Sequence, residues 1–338
     1  MAITPHKMTP DRIMELGHGF RASKALLSAI ELGTFTELAA GPLDLEALRR
    51  RLGMHERGAR DFLDALVALG MLVRDNDGRY ANAAETDLYL DRNKPTYVGG
   101  LLERFNARDY AFWGSLTAAL RTGKPQCEQD AASYESLYAD RRSLELFASG
   151  MTANTRPVAN ALANSFPWAN AATFIDIGTS QGCLPVQIAQ SHPHLTGGGF
   201  DLPQLTPLFE SYVGKHGLST RLRFYAGDFF KDPLPGADVL VLGRVLHNWD
   251  LATKKMLLTK VHDALPPGGA LIVYERLIDD ARRVHAAGLL SSLQMLLAST
   301  GGFDFTGADC TGWMREAGFR DIRIEPLTTA QSMVVGVK

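Results

Sequence analysis

One stretch constrains this chain more than any other: ATFIDIGTSQGCLPVQIAQSHPHLTGGGFDLPQ, residues 172–204. An apolar run (Phe174, Ile175, Ile177) carries Asp176 and ends in a turn with glycines at 178 and 182. A segment of helical period (Leu184, Ile188, Ala189) follows, and then a short strand, Gly199–Phe200, that closes on Asp201. The order is strand, glycine turn, helix, strand, acid. Gly178 lets the backbone approach a ligand, the helix start offers free N–H groups, and an acid at the next strand end accepts two ribose hydroxyls. An adenosine cofactor is implied. The spacing alone leaves its kind open, because the dinucleotide fingerprint also ends in an acid about 20 residues on. Thr179 and Ser180 stand at glycine positions of that fingerprint and disfavour a turn that hugs a pyrophosphate. A lone turn of this kind suits an ordinary βαβ unit with a solvated acid equally well, so the rest of the C-terminal half has to decide.

That half continues in βα alternation. RLRFYAGDFF (221–230) reads as a strand ending in Asp228, and ADVLVLGRVLHNWD (237–250) as an apolar strand ending near His247. Residues 254–264 read as a helix, PPGG (266–269) as a turn, ALIVYERL (270–277) as a strand ending near Glu275, and 286–298 and 311–319 as helices. The last segment, RDIRIEPLTTAQSMVVGVK, reads as an antiparallel hairpin. Parallel strands with intervening helices, finished by such a hairpin, differ from the all-parallel dinucleotide fold and match the sheet of class I methyltransferases.

The N-terminal part reads differently. Residues 10–30 carry apolar positions at helical spacing (Ile13, Leu16, Phe20, Leu26, Leu27, Ile30), with Thr9 and Pro10 as cap and first-turn residue. Two helices ending at Gly53 and Gly70 follow, and then MLVRDNDGRYANA reads as strand, Asp-Gly turn, strand. This is the winged-helix pattern. The helix over 56–69 offers Arg57 and Arg60, but also Asp61, Asp64 and a mostly apolar face, which favours a structural or dimerising module over DNA binding. Residues 86–165 read as largely helical and aromatic-rich, broken at Gly123–Asp130. The expected division is 1–95, a winged-helix dimerisation domain; 96–165, a helical linker and substrate-pocket region; and 166–338, the cofactor-binding catalytic domain. A net charge of −2 removes the basic field that would recruit nucleic acid or an anionic membrane. Three cysteines (Cys127, Cys183, Cys310) without a CxxC suggest reduced thiols in a cytoplasmic protein. The N-terminus lacks the apolar core of a signal peptide, and no apolar run is long enough to span a bilayer.

Taken together, IDIGTSQG, FDLP, AGDFF, RVLHNWD, ALPPGG and MLLASTGGFD, in that order along nearly the whole chain, resemble the S-adenosylmethionine-dependent O-methyltransferases of the caffeate/acetylserotonin type, including bacterial relatives that tailor polyketides. The resemblance implies an α/β class I methyltransferase sheet with a terminal antiparallel hairpin and an N-terminal winged-helix dimerisation domain. It implies S-adenosylmethionine as cofactor, held by Asp176, Gly178, Thr179, Asp201, Leu202, Asp228, Phe229 and Arg244. His247 becomes a general base oriented by Glu275 and by Asp304, where relatives usually carry glutamate. Phe147, Met151, Asn154, Asn248, Met295 and Ser299 would line the acceptor pocket, with Asn248 where many relatives carry aspartate. No metal is implied, since no His/Cys/Asp spacing resembles a ligand set. The expected acceptor is a hydroxyl on a small aromatic or polyketide-derived metabolite: a phenol with a pKa near 10 is mostly neutral at working pH, so a histidine that takes its proton helps the transfer.

Each residue also has a plainer reading. His247 could be a loop histidine packed beside Trp249, Glu275 and Asp304 solvated acids, Asp201 and Asp228 turn caps, and Arg244 a surface cation. The eroded glycine loop and Asn248 keep N- or C-methyl transfer, or a non-methylating reaction on the same fold, open as alternatives. A winged-helix regulator and a nicotinamide oxidoreductase come behind them.

Overall fold

The computed structural model describes residues 8–94, 96–126 and 141–338. Cys127, Tyr134, Tyr138 and part of the expected break at Gly123–Asp130 lie outside the described residues. The chain divides into two compact units, Met1–Tyr110 and Ala111–Lys338.

The first unit holds α1 (Asp11–Leu32), α2 (Thr34–Leu38), α3 (Leu45–Arg51), α4 (Glu56–Ala68), the strands β1 (Leu72–Arg74) and β2 (Tyr80–Asn82), α5 (Ala84–Leu90) and α6 (Gly99–Arg104). Gly33, Gly53 and Gly70 follow α1, α3 and α4 with left-handed backbones (φ +78°, +64° and +73°), which ends each helix as a C-terminal glycine does. The expected Thr9 cap is not made: Pro10 stands at the N-cap of α1, and the Thr9 hydroxyl donates to the Asp11 carboxylate at 2.8 Å. A fourth helix, α2, also intervenes before the hairpin. On the apolar face of α4, Ala59, Leu63 and Leu66 are buried, the two leucines in a core with Ile30, Phe35, Leu48 and Leu72. Asp64 on that helix accepts from Arg74 of β1 at 2.6 Å and from the Tyr80 hydroxyl at 2.7 Å. The helix therefore builds the unit's core instead of presenting a basic stripe.

The second unit is built on a seven-stranded sheet of order β5-β4-β3-β6-β7-β9-β8. Its strands are β3 (Thr173–Ile177), β4 (Thr196–Asp201), β5 (Leu222–Ala226), β6 (Val239–Gly243), β7 (Ala270–Glu275), β8 (Arg320–Pro326) and β9 (Ser332–Val337). Strands β5, β4, β3, β6 and β7 run parallel. β9 runs antiparallel to both β7 and β8, which is the terminal hairpin expected from sequence. Side chains alternate between faces, so Phe174, Val241, Ile272 and Val335 enter one core, while Ile175, Leu240, Leu271 and Val334 enter the other. A long helix, Arg141–Ser165, and Cys183–Ser191 pack into the first core; Leu251–Ala264 and Gly307–Glu316 pack into the second. The helix Thr206–Lys215, between β4 and β5, was not anticipated from the sequence.

Strand order reverses at β3, whose neighbours β4 and β6 lie on opposite sides. At such a switch point the connections leave in opposite directions and open a cleft at the carboxyl ends of the strands. The turns after β3 and β6 border that cleft, and they carry Gly178 and Arg244.

Candidate active site at the carboxyl edge of the sheet

The cofactor-type residues converge on the switch point. Gly178 has φ +78°, and a Cβ there would lie 2.7 Å from Cγ2 of Val245, so both the backbone conformation and the close approach require glycine. Ser180 is also left-handed (φ +54°); its N–H donates to Oδ2 of Asp201 at 2.8 Å, and the Leu202 N–H donates to Oδ1 at 2.8 Å. Asp201 thus ties the glycine turn to the end of β4 and keeps further lone pairs on both oxygens. Burial pushes its pKa up to about 6, and the two N–H donors hold it from rising further. Asp176, on β3, is buried. Loss of hydration raises its pKa to about 8; Thr179 pulls it down and the Asp201 charge pushes it up. A cavity of about 30 Å³, room for about one water, is lined by Asp176, Gly178, Thr179, Ser180, Arg244 and Met151 among others. Arg244 takes a left-handed backbone (φ +55°), and its Nη1 is buried without a hydrogen-bond partner among the described residues. Leu202 packs against Leu144 and Leu205.

Asp228 lies farther along the edge. Its carboxylate accepts from Phe230 N–H at 2.9 Å and meets Lys231 Nζ at 3.0 Å. The Phe229 carbonyl accepts from Lys260 Nζ at 2.7 Å. The Phe229 and Phe230 rings stand edge-on to Trp249, with centroids 5.8 and 4.8 Å away. Phe230 remains 45% exposed, which leaves this aromatic corner open on one side. Sequence reasoning treated Trp249 only as a packing neighbour; its place in the corner comes from the turn after β6.

The acid and base residues meet one turn away. Leu246–Asn248 forms a short 3-10 turn that buries His247. Nδ1 of His247 is 3.4 Å from Oδ1 of Asp304 and 3.6 Å from Oε2 of Glu275, and its backbone N–H donates to Oε1 of Glu275 at 3.4 Å. Both carboxylates are essentially inaccessible (1% for Glu275, 2% for Asp304). The expectation that both would be solvated if they were ordinary acids fails on that burial. The shorter side chain of Asp304 does reach the imidazole. Burial raises the pKa of Glu275; His247 and Arg244 draw it down, while Asp304 adds to the rise.

Two glycines make this approach possible. A Cβ on Gly301 would lie 2.9 Å from Cβ of Asp250, and one on Gly302 would lie 2.8 Å from the carbonyl oxygens of His247 and Asn248. The segment that carries Asp304 therefore lies flat on the segment that carries His247. The Ser299 hydroxyl closes the turn, donating to Met295 O at 2.9 Å and accepting from Gly302 N–H at 2.9 Å. Any ligand hydrogen bond to Ser299 must then be one it accepts. The Asn248 amide donates to the carbonyls of Arg244 (3.1 Å) and Val245 (3.2 Å), which leaves its oxygen as an acceptor with no partner among the described residues. Phe147, Met151 and Asn154 are partly buried on the helix Arg141–Ser165, and Met295 is partly buried on the helix Ala286–Ala298. Of these four, Met151 lines the cavity beside Asp176.

Sequence reasoning missed several site neighbours. Tyr274, buried on β7, lines the same cavity. Arg276 follows Glu275, and its Nε is buried without a partner among the described residues. Lys254 is fully buried. A signal for Lys254 was present: it occupies the apolar stripe of its helix, with Leu257, Leu258 and Val261 at helical spacing.

Residues 113–320 match the O-methyltransferase domain family and residues 14–92 the O-methyltransferase dimerisation domain family. The tetracenomycin polyketide synthesis 8-O-methyltransferase TcmO of Streptomyces glaucescens is 42% identical over 99% of this chain and 99% of its own. The N,N-dimethyltransferase OxyT of Streptomyces rimosus is 38% identical over 80% of this chain and 79% of its own. In structure the chain is similar to human N-acetylserotonin methyltransferase in complex with S-adenosylmethionine, with a TM-score of 0.90, 26% identity and 99% coverage of both chains. The glycine turn, the two acids after successive strands and the unpartnered Arg244 nitrogen fit an adenosyl amino acid, and a family model that covers more than half of the chain matches them. The chain belongs to the S-adenosylmethionine-dependent O-methyltransferases, in the branch that modifies secondary metabolites.

Proposed function

We propose that this enzyme methylates a hydroxyl of a small aromatic or polyketide-derived secondary metabolite, with His247 as general base. The observation that carries the reading is the contact of one imidazole nitrogen with two buried carboxylates beside the cofactor edge, at 3.4 and 3.6 Å. Carboxylates at Nδ1 place the neutral ring's proton there and leave Nε2 as the basic nitrogen. When bound, S-adenosylmethionine supplies a methyl group on a positively charged sulfur. Arg244 would hold its carboxylate, Asp176 and the Gly178–Thr179 turn its ammonium side, Asp201 its ribose hydroxyls, and Asp228, Phe229 and Leu202 the adenine surroundings. His247 takes the acceptor's hydroxyl proton as the oxygen–carbon bond forms, and Glu275 and Asp304 stabilise the imidazolium. Phe147, Met151 and Met295 supply apolar wall to a flat acceptor, and the amide oxygen of Asn248 and the remaining lone pair of Ser299 receive its donors. No step requires a metal ion, and turnover is expected to be unaffected by EDTA.

We place the dimer contact on the N-terminal domain, which matches a dimerisation family and exposes apolar positions on α1. The buried free thiols of Cys183 and Cys310 suit a reducing cytoplasm. No helix among the described residues is long and apolar enough to cross a membrane. The division into 1–95, 96–165 and 166–338 stands as a functional proposal beside the two compact units.

The test combines calorimetry with turnover. Wild type should bind S-adenosylmethionine and S-adenosylhomocysteine but not NADH. Asp201→Ala should lose roughly 10–100-fold in affinity, the range of a hydrogen bond to a charged group. His247→Ala should keep cofactor affinity but lose about 10²–10⁴ in kcat against polycyclic phenols scored by a one-methyl mass gain. An unchanged kcat in His247→Ala refutes the base. N-methylation is the second reading, because OxyT is an N,N-dimethyltransferase by name; methyl found on nitrogen when amino and hydroxyl acceptors compete would establish it.

A further inference from the structure

Lys254 has no exposed surface, and its position on the helix Leu251–Ala264 is one that leucine or methionine would fill. Its ammonium lies 3.3 Å from the centroid of the Phe303 ring and 5.7 Å from that of Phe305, and it donates to the Trp249 carbonyl. Phe303 and Phe305 flank Asp304, and Trp249 lies two residues after His247. The ammonium thus sits where the His247 segment and the Asp304 segment are pressed together by Gly301 and Gly302. Among the described residues no carboxylate lies within 4.0 Å of it, so it forms no salt bridge of its own. The charges that act on it are Glu275 on β7, Asp304, and Asp250 at the start of its own helix. A buried ammonium with ring and carbonyl partners alone is costly, and its compensation is the pair of buried acids nearby.

We propose that Lys254 is a positioning residue for proton transfer: its buried ammonium is the counter-charge that keeps Glu275 and Asp304 both ionised around a neutral His247. The inference rests on His247 being the base. With the ammonium present, the resting cluster of two carboxylates and a neutral ring is offset by one positive charge, and it approaches neutrality as the ring takes the acceptor's proton. Without it, the cluster holds its first proton more tightly, wherever that proton resides, and the competent form appears only at higher pH. Burial lowers the pKa of Lys254 to about 8, against the pull of Glu275, Asp304 and Asp250. The ammonium is therefore the main form at pH 7, and its influence fades above pH 8.

The test is a titration of His247 by NMR in ¹³C-histidine-labelled full-length protein saturated with S-adenosylhomocysteine, with its resonance assigned by loss in His247→Gln. Lys254→Met keeps an unbranched apolar stem over Phe303 and should raise the His247 midpoint by about one pH unit, the equivalent of about a tenfold change in proton affinity. Lys254→Arg, which keeps the charge, should leave the midpoint where it is. If Lys254→Met does not fold, Lys254→Gln takes its place with the same expected shift. A midpoint unmoved in the neutral variant, or moved equally in Lys254→Arg, overturns the proposal and assigns Lys254 to packing. Failure of the underlying base shows separately, as full turnover in His247→Ala.

Discussion

The carboxyl of Asp176 keeps its proton at neutral pH, because burial raises its pKa to about 8. An aspartate in the unfolded chain titrates near 3.9. Between these values the native state binds the extra proton, so this residue's contribution to stability is complete below about pH 4 and is lost as pH rises through about 8. Asp201, raised to about 6, and Glu275, also raised, slope the same way. Asp176→Asn fixes the uncharged form and should stabilise the unliganded protein by about 1–2 kcal/mol at pH 5 and by several kcal/mol more at pH 8. Urea midpoints at the two pH values check this; a variant less stable than wild type at pH 8 would mean that the acid is ionised in the fold. The same substitution removes the negative charge that Asp176 would take on beside the cofactor's ammonium, so S-adenosylhomocysteine affinity should fall at least tenfold, about 1.4 kcal/mol. Residue identity conveyed part of this site and not the rest. Asp176, Asp201, His247 and Glu275 stand at strand ends that hydropathy marks clearly, whereas the reach of Asp304 depends on how closely two loops approach. No spacing in the chain encodes that distance.

The loop Ser299–Phe305 behaves as one element, held to the His247 turn by the absence of side chains at Gly301 and Gly302. Gly302→Ala would bring a methyl within 2.8 Å of two carbonyl oxygens and 2.5 Å of Ser299 Oγ. The loop must lift, which moves Asp304 and Phe303 away from His247 and Lys254. The cost should be about 1–3 kcal/mol of stability and at least a tenfold fall in kcat, with cofactor affinity within about threefold because Asp201 and Arg244 lie elsewhere. Measured kcat and cofactor Kd equal to wild type would show that the loop can lift without consequence. Elements of this size were unevenly legible. The β-strands of the sheet are apolar runs between turn residues, and the chain displays them plainly. The helix Thr206–Lys215 buries only Phe209 and Val213, a stripe too thin to register as periodicity. The five residues of α2 are too few to show any period.

At the scale of the whole molecule, a net charge of −2 and a buried α4 face remove the grounds for DNA binding, and the matched dimerisation domain supplies another use for the N-terminal helices. Ile13, Leu16 and Phe20 are 74%, 84% and 56% exposed in the single chain. At intervals of three and four they share one face of α1. Exposed apolar groups in such a row mark a contact with another chain, and a second copy is the partner a dimerisation domain calls for. Substituting one polar residue for each of two adjacent positions should therefore split the assembly without touching the chemistry's own residues. Leu16→Glu with Phe20→Glu should sediment as a monomer at micromolar concentration where wild type sediments at twice the chain mass. Its S-adenosylhomocysteine affinity should stay within about threefold of wild type, since the residues proposed to hold the cofactor all belong to the second unit. Its thermal midpoint should lose the dependence on protein concentration that an associating chain shows. A double variant that remains dimeric, with an unchanged concentration dependence, would move the contact off this face of α1.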